Sequence, residues 1–179
     1  MKILAFAASN SKTSINKQLV QAAIAEFKNG IQADVEAEVI DLNDFEMPLY
    51  RPDRETDNGI PDEAKRFYQK IGEADALLIS FPEHNGTYSA AYKNLFDWTS
   101  RIDMKVYQDK PALLLASSPG KGGAVNVLKT ATDSAPYFGM DVRGSLSVPS
   151  FYDNFDIENG VITNTEIRDV LIQLLSQLK

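Results

Sequence analysis

The chain predicts an α/β fold: a three-layer sandwich around a five-stranded parallel sheet in the order 2-1-3-4-5. Three observations carry this. Strand-like and helix-like segments alternate five times along 179 residues, the pattern of a doubly wound parallel sheet rather than of separate α and β regions. Two of the strand-like segments, Ala76–Phe81 and Ala112–Ala116, are nearly unbroken apolar runs, as strands buried on both faces are. The three most distinctive polar loops follow the first, third and fourth strands. Those strands are neighbours in this order, so their loops converge on one crevice at the carboxyl ends.

Taken in order, Lys2–Ala7 reads as a short buried strand leading into the polar run Ser9–Asn16. From Ile15 to about Phe27 the apolar residues Leu19, Val20, Ala23, Ile24 and Phe27 fall at helical spacing, with Gly30 as the stop. Val35, Ala37, Val39 and Ile40 suggest a second strand. Asn43–Gly59, rich in Pro, Asp, Asn and Arg, reads as an exposed loop and a candidate lid or subunit contact. Pro61-Asp62-Glu63 opens a helix with residues that suit a first turn. A helix through Phe96 and Trp98 follows the third strand, and another from about Ala124 to Ser134 follows the fourth. A fifth strand lies near Asp141–Val148, and an amphipathic helix over about Glu166–Leu178 closes the chain. Residues 1–179 are expected to form one domain, with no repeat, linker or low-complexity tract.

Composition narrows the function. A net charge of -7 argues against nucleic acid, whose binding needs a basic surface. No apolar run approaches the roughly 20 residues that cross a bilayer, and the N-terminal apolar run is too short for a signal peptide. Cysteine is absent, which removes thiol nucleophiles, dithiol redox pairs, iron–sulfur clusters and thiolate zinc, and fits a cytoplasmic setting. With His84 the only histidine, no multi-histidine metal site can form, so no metal site is expected. Any redox chemistry must come from a cofactor.

The first loop, Ser9 to Asn16, packs six hydroxyl or amide side chains and Lys12 in front of a helix. It reads either as an elaborate N-cap or as a phosphate cradle. The GxxxxGK[ST] and GxGxxG patterns are both missing, which favours a mononucleotide. The second loop, Pro82-Glu83-His84-Asn85-Gly86-Thr87, is a strand-to-helix turn that could also read the edge of a flat heteroaromatic ring. The third, Ser117-Ser118-Pro119-Gly120-Lys121-Gly122-Gly123, is either simply flexible or lets a ligand lie against backbone.

This set resembles the NADPH-dependent FMN reductase family, with its azo-, quinone- and chromate-reducing relatives. The resemblance covers essentially the whole chain. It rests on the spacing of Ser9, Ser14 and Asn16 and on the Pro-Glu-His-Asn-Gly-Thr block followed by Lys93-Asn94 and Asp97-Trp98. It implies a flavodoxin-like fold and an oxidoreductase that passes a hydride from NADPH or NADH to bound FMN. A small-molecule electron acceptor such as a quinone, azo compound or free flavin would then take it. Ser9, Ser11, Ser14, Ile15 and Asn16 would hold the phosphate end. Pro82, Glu83, His84, Asn85 and Gly86 would line the ring, and Ser117 with Gly120 would close the other side. The flavin carries the chemistry, so no catalytic side chain is expected.

The resemblance also implies a homodimer or homotetramer, with no nucleic acid and no membrane partner. Arg51, Arg54 and Lys121 are candidate contacts for the 2′-phosphate of NADPH. Relatives often carry Gly, Arg and Tyr where this chain has Ala8, Ser11 and His84. The alternatives are a flavodoxin-type FMN electron carrier, whose Thr-rich phosphate loop this chain lacks, and a serine hydrolase, for which the GxSxG elbow is missing.

Overall fold

A computed structural model describes residues 1–179. β1 (Lys2–Ala7) leads through the polar turn into α1 (Ile15–Gly30), which Ser14 caps by accepting the Lys17 N–H at 3.2 Å. β2 (Glu36–Ile40) is followed by a 3₁₀ turn over Leu42–Phe45, α2 (Pro52–Asn58) and α3 (Asp62–Glu73). Next come β3 (Ala76–Phe81), α4 (Ala90–Thr99), β4 (Lys110–Ser117), α5 (Val125–Ser134) and β5 (Met140–Val148). The chain ends with α6 (Phe151–Asn154), the small antiparallel pair β6 (Phe155–Asp156) and β7 (Val161–Ile162), and α7 (Thr165–Leu175). The five long strands pair in parallel in the order β2-β1-β3-β4-β5, as the sequence predicts. No helix is long and apolar enough to cross a membrane.

Side-chain alternation splits the core between the two faces of the sheet. Leu4, Phe6, Leu77, Ile79, Leu114 and Ala116 point into the layer formed by α3, α4 and α5. Ile3, Ala5, Ala76, Leu78, Leu113 and Leu115 point at α1 and α7. Ser80 and Ser117 share the parity of this second set, so their hydroxyls rise on the α1 side at the carboxyl ends of β3 and β4.

Asn43–Gly59 is not the open loop its composition suggests. It contains α2, and long-range hydrogen bonds stitch it to α4. Trp98 Nε1 donates to the Pro48 carbonyl at 2.7 Å, and Asn94 Nδ2 donates to the Met47 carbonyl at 3.1 Å. Asn94 Oδ1 in turn accepts the Tyr50 N–H at 2.8 Å. Tyr50 packs edge-on against Trp98, and Arg101 pairs with Glu55 on α2 at 2.9 Å. The segment lacks an apolar period of its own, and its order comes from side chains more than forty residues away.

Candidate functional site

A cleft of about 240 Å³ opens where the loops after β1, β3 and β4 meet. The first loop contributes Ser9, Ser11, Thr13, Ser14, Ile15 and Asn16; the second contributes Pro82, Glu83 and His84; the third contributes Ser117, Ser118 and Pro119. Thr13, Ser118 and Pro119 join the residues expected from the sequence, each on one of the same three loops. Asn85, Gly86 and Gly120 stand beside the lining residues rather than among them.

The first loop is rich in free donors. The N–H groups of Lys12, Thr13, Ile15 and Asn16 donate to nothing in the protein, because they precede or begin α1 and have no carbonyl four residues back to reach. The hydroxyls of Ser11 and Thr13 make no internal bond, and the Ser9 hydroxyl accepts only the Ser11 N–H at 3.2 Å. No acidic residue occupies the first turn of α1. The partial positive charge of a 16-residue helix therefore meets an uncompensated set of donors, which suits a phosphate. Ala8, where relatives often carry Gly, is buried without strain, its carbonyl taking the Ser89 hydroxyl at 2.7 Å.

In the second loop, His84 and Thr87 exchange backbone hydrogen bonds at 2.9 and 3.1 Å around Asn85 and Gly86. Both central residues have positive φ, 52° and 80°, the two-residue turn that Asn-Gly favours. His84 itself is exposed. Glu83 behaves differently from the rest of the loop. Its Oε2 accepts the N–H groups of Asn126 and Val127, both at 3.0 Å, and its Oε1 accepts Asn126 Nδ2 at 3.2 Å. α5 has no cap from its own Ala124, so Glu83 caps it from the neighbouring loop. Its carboxylate holds the scaffold together from a residue that also lines the cleft.

Asn16 and Ser117 are likewise occupied. Asn16 is 2% exposed and its side-chain amide bonds only to protein. Its Oδ1 accepts the Ser80 hydroxyl at 2.7 Å and the Ser117 N–H at 3.1 Å, and its Nδ2 donates to the Ser117 carbonyl at 3.2 Å. The Ser117 hydroxyl donates onward to the Val148 carbonyl at 2.8 Å. Both lining residues thus brace the cleft through their side chains, while the backbone N–H of Asn16 stays free. Ser80 escaped the sequence analysis, and its signal was a lone hydroxyl in the otherwise apolar β3.

The third loop is fixed at its ends. The Gly120 carbonyl accepts the Gly123 N–H at 3.2 Å and the Ser150 N–H at 2.9 Å. At Gly123, with φ of 60°, an added Cβ would run into the Ser147 hydroxyl and the Pro149 backbone. A Cβ on Gly122 would meet open space and one on Gly120 only the Ser118 hydroxyl at 4.0 Å, so packing explains neither glycine.

Behind the first loop, Lys17 pairs with Asp41 at 2.7 Å, and Asn43 reaches from Asp41 to the Asn10 carbonyl at 3.2 Å. The Lys17 ammonium, then the Asn43 N–H, hold the Asp41 carboxyl below the usual aspartate range. Folding stability from this lowered value is present above the ordinary aspartate pKa and is lost as pH falls through the folded value. The stability gap between wild type and Asp41→Asn, measured by urea unfolding, is therefore expected at pH 7 and should narrow as pH falls below the ordinary aspartate range. A gap that stays constant across the acid range would contradict this.

The family model described as NADPH-dependent FMN reductase matches residues 1–153. The chain belongs to that family. As a member of the NADPH-dependent FMN reductase family, it is an oxidoreductase that works with FMN and NAD(P)H. Among its relatives, an NADPH:quinone oxidoreductase of Arabidopsis thaliana is 37% identical over 123 residues. That match covers 69% of this chain but 61% of the relative, less than two thirds of its length. A 2-hydroxy-1,4-benzoquinone reductase of a Burkholderia species is 33% identical over 173 residues, covering 96% of this chain and 90% of the relative. In fold, the chain is similar to a flavoenzyme NAD(P)H:(acceptor) oxidoreductase from Paracoccus denitrificans. The TM-score is 0.74 at 22% identity, over 99% of this chain and 94% of the other.

Proposed function

We propose that this reductase holds FMN in the cleft between the loops after β1, β3 and β4 and delivers reducing equivalents to a quinone. The observation that supports it is the convergence, in one cleft, of the free donors at the start of α1 with the His84–Thr87 turn and the Gly120–Gly123 loop. When bound, FMN supplies the hydride chemistry. The chain's residues hold and orient. Ser9, Ser11, Thr13 and Ser14, with the N–H groups that start α1, grip the phosphate. His84, Asn85 and Gly86 border one edge of the ring, and Ser118 to Gly120 border the other, close to backbone. Asn16, Glu83 and Ser117 keep these parts in register.

The cleft is smaller than the roughly 300–1,000 Å³ of an enclosing ligand pocket. A flavin lying in it would keep one face open to a second substrate or to another copy of the chain. A groove of about 330 Å³ between α4 and α5, floored by Tyr88, Tyr92, Phe96 and Phe138, supports a homo-oligomer. Two relatives described as acting on quinones support that acceptor class. The lack of cysteine supports a cytoplasmic setting.

Steady-state oxidation of NADPH by the FMN-loaded protein, with a benzoquinone as acceptor, tests the reading. Turnover that stops when FMN is stripped and returns when it is added is expected. Full FMN occupancy without turnover from either nicotinamide would instead favour an electron carrier. Arg51 is paired with Asp53 at 2.7 Å and Arg54 donates to the Leu49 carbonyl at 2.6 Å, whereas Lys121 makes no ion pair. Of the three cations, Lys121 is thus the one free to meet a 2′-phosphate, and Lys121→Ala should lower the NADPH-over-NADH ratio of kcat/KM about fivefold. An unchanged ratio would remove it from that role.

A further inference from the structure

The braces at Asn16 tie together two parts of the cleft that are remote in sequence. Asn16 occupies the second position of α1, at the heart of the donor-rich turn. Its hydrogen-bond partners, Ser80 in the last two residues of β3 and Ser117 at the end of β4, are 0% and 1% exposed. One amide therefore joins the start of α1 to both strands whose loops border the ring end. Only Asn fits these demands at this length: its oxygen receives two donors and its nitrogen gives one. Sheet pairing does not require the contact, since the β3–β4 ladder runs through Phe81 and Ala116 without it. A buried, fully paired polar network of this kind fixes geometry.

We propose that Asn16 is a positioning residue that sets the separation between the phosphate-gripping turn on α1 and the ring-bordering loop after β4. This rests on the reading of the cleft as an FMN site. A ligand held at both ends gains from the second contact only when the two halves are in register. FMN engages both halves, whereas riboflavin lacks the phosphate and engages only the ring half. The ratio of their affinities therefore reads the register, apart from stability.

The experiment titrates FMN and riboflavin into apo wild type, Asn16→Ala and Ser80→Ala, following flavin fluorescence, with thermal unfolding of each. Asn16→Ala is expected to shrink the FMN-to-riboflavin affinity ratio about thirtyfold, leaving riboflavin within about threefold of wild type. Ser80 does not line the cleft, and its hydroxyl touches only Asn16. Ser80→Ala should shrink the same ratio about fivefold. An unchanged ratio in Ser80→Ala, with a collapsed one in Asn16→Ala, would make Asn16 a direct phosphate contact and overturn the proposal. Parallel losses for both flavins, tracking a lower Tm, would reduce Asn16 to a stability residue and overturn it too. Wild type that binds neither flavin defeats the FMN reading itself. Wild type that binds FMN, with ratios unmoved in both variants, defeats only the proposal.

Discussion

Ser11→Asp is expected to weaken FMN binding about a hundredfold with no loss of folding stability. Ser11 is exposed, its hydroxyl bonds to nothing, and its only tie is the N–H donated to Ser9. The fold therefore loses nothing on substitution. A carboxylate placed about 6 Å from a phosphate charge, at an effective dielectric near 20, is repelled by about 3 kcal/mol. Lys12, the nearest cation in sequence, is exposed and flexible and offsets little of this. Ser11→Arg, the residue relatives often carry here, should shift affinity the other way by about tenfold, since a guanidinium can grip phosphate with two donors. Riboflavin affinity should move in neither variant. A loss of riboflavin binding equal to the loss of FMN would place the phosphate elsewhere.

Glu83→Ala should lower both the stability of the fold and the affinity of the site. It removes the acceptor for two backbone N–H groups at the start of α5 and for the Asn126 amide. A buried charge-assisted bond contributes about 1.5–3 kcal/mol, and a lost helix cap costs about 1 kcal/mol. Glu83 is partly exposed, so water replaces some of the loss, and about 2 kcal/mol is expected. For a chain of this size that lowers Tm by about 5 °C. FMN affinity should fall about tenfold as well, because the cap is also what anchors the residue before the His84–Thr87 turn to the start of α5. Glu83→Gln keeps an acceptor oxygen and should recover roughly half of each loss. If Glu83→Ala lowered FMN affinity with Tm unchanged, Glu83 would be touching the flavin directly.

Much of this was legible in the sequence because it follows from periodicity and connectivity. The apolar runs of β3 and β4 mark them as central, and five alternations then place their loops beside the start of α1. The twelve residues chosen from those loops do fall at one cleft or next to it. Their individual duties were not legible, because they depend on partners far along the chain. Nothing local to Glu83 signals that its carboxylate caps Asn126 and Val127, over forty positions on. Nothing local to Asn16 signals that its side-chain amide is held by Ser117, 101 positions on. The same cause hid α2: Pro52–Asn58 has no buried residue of its own, and Asn94 and Trp98 dock the segment before it.

That FMN occupies this cleft is tested most directly by equilibrium titration of the apo protein with FMN. Saturable binding at one FMN per chain is predicted, much weaker in Ser11→Asp and tighter in Ser11→Arg. Failure of the folded wild-type protein to bind FMN, or binding indifferent to the charge at position 11, would contradict it.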